Sequence, residues 1–166
     1  MSSIRMVDLV TPDRVVPTLH AGNKLQVIEK LCFIAATNSG LDYELVLQSV
    51  LEREDLTTFG IGRGVALPHA IVPGMSEPIG VFARLRRPVD FGAADGRLAD
   101  LVLLLLAPDE DPDILLRALS CVARRFRNRD VVALLRAENT SEAAHVILTT
   151  DFWRGNDPPR DGTHAT

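Results

Sequence analysis

The sequence is poor in several things that would have settled its class at once. It has two cysteines, Cys32 and Cys121, far apart and without metal-ligand spacing. That excludes a disulfide scaffold and points to buried thiols in a reducing compartment. The apolar run "LADLVLLLLA" at 98–107 is about half the length of a membrane-spanning helix. The start, "MSSIRMVDLV", lacks the apolar centre of a signal peptide. These readings predict a cytoplasmic protein without membrane insertion. Four histidines occur, His20, His69, His145 and His164, and no two stand at helical metal spacing. A zinc site therefore has no support, and no metal is expected. Charge of one sign is also lacking: 18 basic against 22 acidic residues give a net charge of −4. The Arg-rich stretch "ARRFRNR" and the group Arg84, Arg86 and Arg87 read as solvated faces rather than a nucleic-acid surface.

What is present describes an ordinary soluble domain, 46% apolar and 24% charged over 166 residues. No internal repeat or low-complexity linker interrupts it. "RVVPTLHA" at 14–21 suits an edge strand, because Pro17 cannot donate to a ladder. Asn23 is placed to cap a helix running to about Asn38, with Gly40 ending it. Asp42 starts a second helix ending near Arg53, with Leu45, Val46, Val50 and Leu51 as its stripe. "PIGVFARL" at 78–85 reads as a strand. A further short strand follows within "PVDFGAADGRLAD", before a turn at Asp95-Gly96. The run at 98–107 reads as a central strand covered on both faces. Asp111 or Asp113 can cap the next helix, with Pro112 near its start and Leu115, Leu119, Val122, Ala123 and Phe126 along it. Helices near 129–137 and 141–149 complete the pattern. Helices alternating with strands predict an α/β layered domain over 1–153, followed by a flexible tail at 154–166.

One stretch stands apart, "GIGRGVALPHA" at 60–70. Gly60, Gly62 and Gly64 free the backbone for positive φ or close approach. Val65, Ala66 and Leu67 read as a short buried strand, and Pro68 biases Leu67 towards an extended conformation. The stretch reads as a loop feeding a strand that holds the His69 imidazole at its end. His20, His145 and His164 have no comparable setting. Around His69 the sequence offers glycine-loop N–H groups, the hydroxyls of Thr57 and Thr58, and Arg53. Those groups bind a dianionic phosphate. The Lys-Ser/Thr ending of a nucleotide loop is missing. Phosphoryl carried on histidine is thus one reading, and a purely structural glycine turn is the other.

The segment Val65-Ala66-Leu67-Pro68-His69-Ala70, with its glycine loop, resembles the phosphohistidine signature of the type-2 enzyme IIA domains of the bacterial phosphotransferase system. "VLEREDLTTFGIG" upstream and "PVDFGAADGRLADLVLLLLAP" downstream resemble the same family, so the likeness covers roughly residues 7 to 150. It implies the mannitol-type enzyme IIA fold, a mixed β-sheet flanked by helices on both sides. It implies that His69 accepts a phosphoryl group from an HPr-like phosphocarrier, with Arg53 in the position of an active-site arginine. "TTFGIGRGVALPH" resembles the nitrogen-regulatory branch, whose members bind kinases, potassium-transport proteins or other targets according to phosphorylation state. A sugar-type IIA that passes phosphoryl to a IIB domain is the alternative, and so is a binding module that is never phosphorylated.

One departure stands out. The family has a second active-site histidine near the start of the helix after the "LLLLAP" strand. The matching position here is Leu115, with Arg117 two residues on. Two residues turn a helix by about 200°, so Arg117 should not face the same way.

Overall fold

The computed structural model describes residues 3–150. A six-stranded mixed sheet forms the centre, with strands β1 (Val15–Leu19), β2 (Gly60–Gly62), β3 (Val65–Ala66), β4 (His69–Ile71), β5 (Ile79–Val89) and β6 (Ala99–Ala107). The path across it is β1-β5-β6-β3-β2, and β4 also pairs with β6. β6 is therefore the axle: antiparallel to β5 on one side, parallel to β3 and then β4 on the other.

Its sequence explains that place. Val102, Leu104 and Leu106 enter one apolar cluster, while Leu101, Leu103 and Leu105 enter the other. A strand with both faces buried needs no polar alternation. The first cluster is roofed by helices α2 (Lys24–Ser39) and α3 (Tyr43–Glu54). The second is covered by the short α1 (Met6–Leu9) together with α4 (Pro112–Arg127), α5 (Arg129–Ala137) and α6 (Ser141–Thr149). Helices on both sides of a mixed sheet are the architecture expected from the sequence.

Local chemistry sets the helix ends. The Asn23 side chain accepts from the Gln26 N–H at 2.9 Å, and Gly40 closes α2 at φ 70°. Asp42 caps α3 through the Glu44 N–H, Asp111 caps α4 through the Asp113 N–H, and Pro112 opens that helix. Each such cap satisfies a donor that the helix itself leaves without a partner. Among the expected stripe of α3, Val46 and Val50 are fully buried, but Leu45 lies outside the core. Cys32 is buried, and its thiol is pushed up to about 12 by burial and the Glu29 charge, so it is unreactive. Cys121 is only half-buried, and neither cysteine forms a disulfide.

Three sequence expectations need correction. The short strand expected within "PVDFGAADGRLAD" is not separate: β5 runs on through Pro88 to Val89, and a register shift between Arg84 and Val89 lets it do so. A bulge absorbs the misfit that looks like an interruption in sequence. The glycine stretch is not a loop either. Gly60–Gly62 is strand β2, turning back antiparallel onto β3. Finally, His69 does not end the Val65 strand; it opens β4 beside Leu105. The tail expected at 154–166 lies outside the described residues. Among the described residues no helix is long and apolar enough to cross a membrane.

Candidate functional site

The site is assembled from the C-terminus of α3, the loop after it and the start of β4. Arg53 lies in the last turn of α3. Its carbonyl accepts from the N–H groups of Leu56 (3.0 Å) and Thr57 (3.2 Å). These bonds close the helix and turn the chain through Thr57 and Thr58. Phe59 then enters the core at 2% exposure. Its carbonyl accepts from the Leu67 N–H at 2.8 Å, which sets residues 59 and 67 side by side. The Phe59 ring consequently meets the His69 imidazole, centroids 5.2 Å apart and planes tilted by 58°.

His69 is half-buried, and its Nδ1 lies 2.8 Å from the Leu67 carbonyl oxygen. A carbonyl can only accept, so Nδ1 carries the proton and donates it to that bond. Nε2 is then left with its lone pair. Burial, the largest cause, holds the imidazole pKa below its ordinary value of 6.5; the Leu67 bond opposes this, and the Arg53 charge adds to it. Desolvation and a nearby cation both disfavour a second positive charge. The ring is thus neutral at physiological pH, with a fixed tautomer and a nucleophilic Nε2.

Arg53 has no carboxylate partner among the described residues. An unpaired guanidinium near a neutral imidazole leaves a net positive site, suited to an incoming dianion. Titration of His69 by NMR should therefore give a midpoint below 6.5. Arg53→Gln should raise that midpoint only part of the way back, because burial is the larger cause. Since the folded-state value lies below the unfolded one, protonation opposes folding. Stability from this group is full above 6.5 and declines as pH falls through the folded-state value. A wild-type midpoint at or above the ordinary value would contradict this account.

The other sequence candidates divide. Thr57, half-buried, and Thr58, exposed, lie in the turn between Arg53 and Phe59. Gly60 lies beside Phe59 and donates to the Phe91 carbonyl at 3.2 Å. A Cβ there would meet Ala93 N at 2.9 Å and Phe91 O at 3.0 Å, so this glycine is required by a close crossing of backbones. Gly62 and Gly64 belong to a different place. Arg63 (φ 57°) and Gly64 (φ 80°) form the two-residue turn of the β2–β3 hairpin, with positive φ at both positions as that tight turn demands. β3 starts opposite Leu101 and His69 sits opposite Leu105. Four residues of strand separate them, about 13 Å. The structure does not bring Gly62 and Gly64 to the imidazole.

Leu115 is 4% exposed in the same apolar cluster as Leu67, whose carbonyl holds His69. Arg117 reaches back to Asp111 Oδ2 at 3.5 Å and to the Asp113 carbonyl at 3.4 Å, along its own helix. Of the other histidines, His145 donates from Nε2 to the Val10 carbonyl at 2.9 Å, and the His20 carbonyl accepts from Lys30 Nζ. His164 lies outside the described residues. Two contributors escaped the sequence reading: the Phe59 ring and the Leu67 carbonyl. The aromatic in "TTFGIG" was the visible signal for the first; the second has none, because a backbone carbonyl carries no residue identity. Among the described residues, no group of three or more His, Cys, Asp or Glu could hold a metal.

Residues 8–150 match the family described as "Phosphoenolpyruvate-dependent sugar phosphotransferase system, EIIA 2". The chain belongs to that family. This EIIA 2 domain is 39% identical over 143 residues to a nitrogen regulatory protein of Bradyrhizobium diazoefficiens, covering 86% of this chain and 94% of the relative. The crystal structure of nitrogen regulatory protein IIA-Ntr from Neisseria meningitidis superposes on it with TM-score 0.79 at 30% identity, covering 85% of this chain and 97% of that one. IIA mannitol from Escherichia coli has TM-score 0.70 at 20% identity, with 84% and 98% covered, and shows the shared fold. The EIIA 2 domain is thus a phosphotransferase-system component most like the nitrogen-regulatory branch, as "TTFGIGRGVALPH" led one to expect.

Proposed function

We propose that this EIIA 2 domain accepts a phosphoryl group on Nε2 of His69 from an HPr-like phosphocarrier and regulates target proteins according to its phosphorylation state. The observation that carries the reading is the Nδ1–Leu67 hydrogen bond, which leaves Nε2 as the free nucleophile. The Nε2 lone pair forms the new N–P bond while the bond from phosphorus to the donor breaks. The donor keeps that electron pair. The Nδ1 proton stays in place, and the charge that builds on the ring is shared with the Leu67 carbonyl. Arg53 offsets the dianion, and the Thr57 and Thr58 hydroxyls donate to its oxygens, while the Gly60 N–H is already taken by the Phe91 carbonyl. Nothing in this step calls for a nucleotide or a metal. Targets of the kinase or potassium-transport type would read roughly two added negative charges next to Leu56, whose side chain is 79% exposed.

The test is incubation with a phosphorylated HPr-like carrier, followed by intact mass. One added phosphoryl group, lost in acid and kept in base, is the expected result. No transfer at any carrier concentration would overturn it in favour of a binding module. Onward transfer to a IIB cysteine domain would favour the sugar reading.

Leu115 bears on rate. A second imidazole at that position could donate to the phosphoryl oxygens as charge moves, and one positioned donor is commonly worth about a hundredfold. Leucine there donates nothing. Leu115→His should therefore accelerate transfer by about tenfold or more in rapid-quench measurements. It should also lower the melting temperature, because a polar ring in this apolar cluster costs about 1–3 kcal/mol unless it is paired. A wild type that is already fast and gains nothing from the substitution would show that the site never needed the second histidine.

A further inference from the structure

At the end of the sheet away from His69, an open cavity of about 430 Å³ lies between β1, β5, β6 and the end of α5. Its walls include Thr18, Arg84, Arg86, Asp100, Arg136 and Asn139. Three guanidinium groups face one carboxylate, in a protein whose overall charge is negative.

Two of the three arginines are held in place. Arg84 donates from Nε to the Pro17 carbonyl at 3.0 Å, from Nη1 to the Arg136 carbonyl, and from Nη2 to Asn139 Oδ1 at 2.9 Å and Thr18 Oγ1 at 3.4 Å. Arg136 forks onto Asp100, with Nε 2.8 Å from Oδ2 and Nη2 2.8 Å from Oδ1. Its Nη2 also donates to the Arg63 carbonyl at 2.9 Å. These bonds consume the one carboxylate in the walls. They leave Arg136 Nη1 and one Nη1 N–H of Arg84 without an acceptor among the described residues. Arg86 is exposed and has neither a hydrogen bond nor an ion pair among the described residues. The cavity thus presents fixed, unspent donors and one exposed guanidinium, with no free acceptor charge to match them. Planar forks of this kind recognise phosphate oxygens two at a time. The volume lies within the range of small-molecule sites and exceeds what one inorganic ion would fill.

We propose that this cavity binds a small molecule bearing two or more phosphate charges, with Arg86 closing over it and Arg84 and Arg136 as its fixed floor. The site is distinct from His69 and does not depend on phosphoryl transfer there. It is wired to the hairpin that precedes His69: the Gly64 carbonyl accepts from the N–H groups of Asp100 (3.0 Å) and Leu101 (3.1 Å). A ligand that pulls on the Arg136–Asp100 pair therefore pulls on the start of β3.

The test is calorimetric titration of the full chain with pyrophosphate, ADP and adenosine, at low and at physiological ionic strength. Pyrophosphate and ADP should bind at submillimolar concentration, more weakly as salt rises, and adenosine should not bind. Arg86→Ala should weaken binding about tenfold, the equivalent of one lost charge-assisted hydrogen bond. Arg86→Glu should abolish it. Both substitutions are at an exposed side chain and should leave the melting temperature unchanged. His69→Ala should bind both probes as the wild type does. Absence of binding at low salt would overturn the proposal, as would indifference to Arg86→Glu or loss with His69→Ala. A short single-stranded oligonucleotide that displaces ADP at far lower concentration would replace the small molecule with a nucleic acid.

Discussion

His69→Ala should eliminate acid-labile labelling by a phosphorylated HPr-like carrier, while His20→Ala and His145→Ala keep it. The difference among the three rings is one of setting. His145 uses Nε2 to donate to the Val10 carbonyl, so that nitrogen carries a proton and cannot attack. His20 is exposed, and among the described residues no hydrogen bond to its ring selects one nitrogen over the other. His69 is the ring whose Nδ1 is committed to a backbone carbonyl and whose pKa is held down by burial and by Arg53. Those conditions supply a neutral nucleophile without a general base, since no proton has to leave Nε2. Alanine removes the nucleophile outright, so the expected loss is complete rather than graded. The fold should survive. The side chain makes one hydrogen bond and one ring contact, together worth about 1–3 kcal/mol. Circular dichroism and a melting curve would verify that the variant is folded. Label that persists on folded His69→Ala protein would place the acceptor elsewhere.

Gly64→Ala should be among the most destabilising single substitutions available, at about 3–5 kcal/mol. Two costs add. Gly64 has φ 80°, where an L-residue loses about 1–2 kcal/mol. A Cβ there would also lie 2.4 Å from Arg136 Nη2 and 3.0 Å from Asp100 Oδ1. The guanidinium is the end of a flexible side chain, but it is not free to move. It is held by both oxygens of Asp100 and by the Arg63 carbonyl. Moving it breaks a bidentate pair and unseats the turn whose carbonyls the pair secures. Gly96 is the control. It has φ 74°, yet a Cβ there meets nothing within 4 Å. Gly96→Ala should cost about 1–2 kcal/mol, the backbone share alone. Urea denaturation of the two variants separates conformation from collision, and equal midpoints would mean that the Arg136 contact carries no weight.

The same glycines mark the boundary between what sequence and structure each decide. From the residues alone, the chain announces its helices. Asn23, Asp42 and Asp111 precede apolar periodicities of 3.6, and Gly40 closes the first of them. It announces β6 as a strand buried on both faces, because alternation is absent over residues 98–107. It singles out His69, because Pro68 and the glycine stretch give that histidine a setting the other three lack. All of these are local signals, written within a few residues of the feature they specify. The resemblance to enzyme IIA domains rests on the same local stretch.

The tertiary structure decided the rest. Three glycines in one motif looked like one phosphate cradle. In the fold, Gly60 yields to the crossing backbone of Phe91 and Ala93, while Gly64 yields to a guanidinium 72 residues further along the chain. Phe59 and Leu67 become neighbours of the imidazole because a strand pairing brings them there. Arg84, which in sequence reads as part of a solvated face, joins Arg136 in locking β1, β6 and α5 together. β5 passes through Pro88 because β6 supplies partners on either side of a bulge. In each case the deciding contact joins residues remote in sequence. Periodicity and capping report which face of an element is buried and where it stops. They carry no information on which distant backbone or side chain will lie against that face, since that depends on how the whole sheet is ordered.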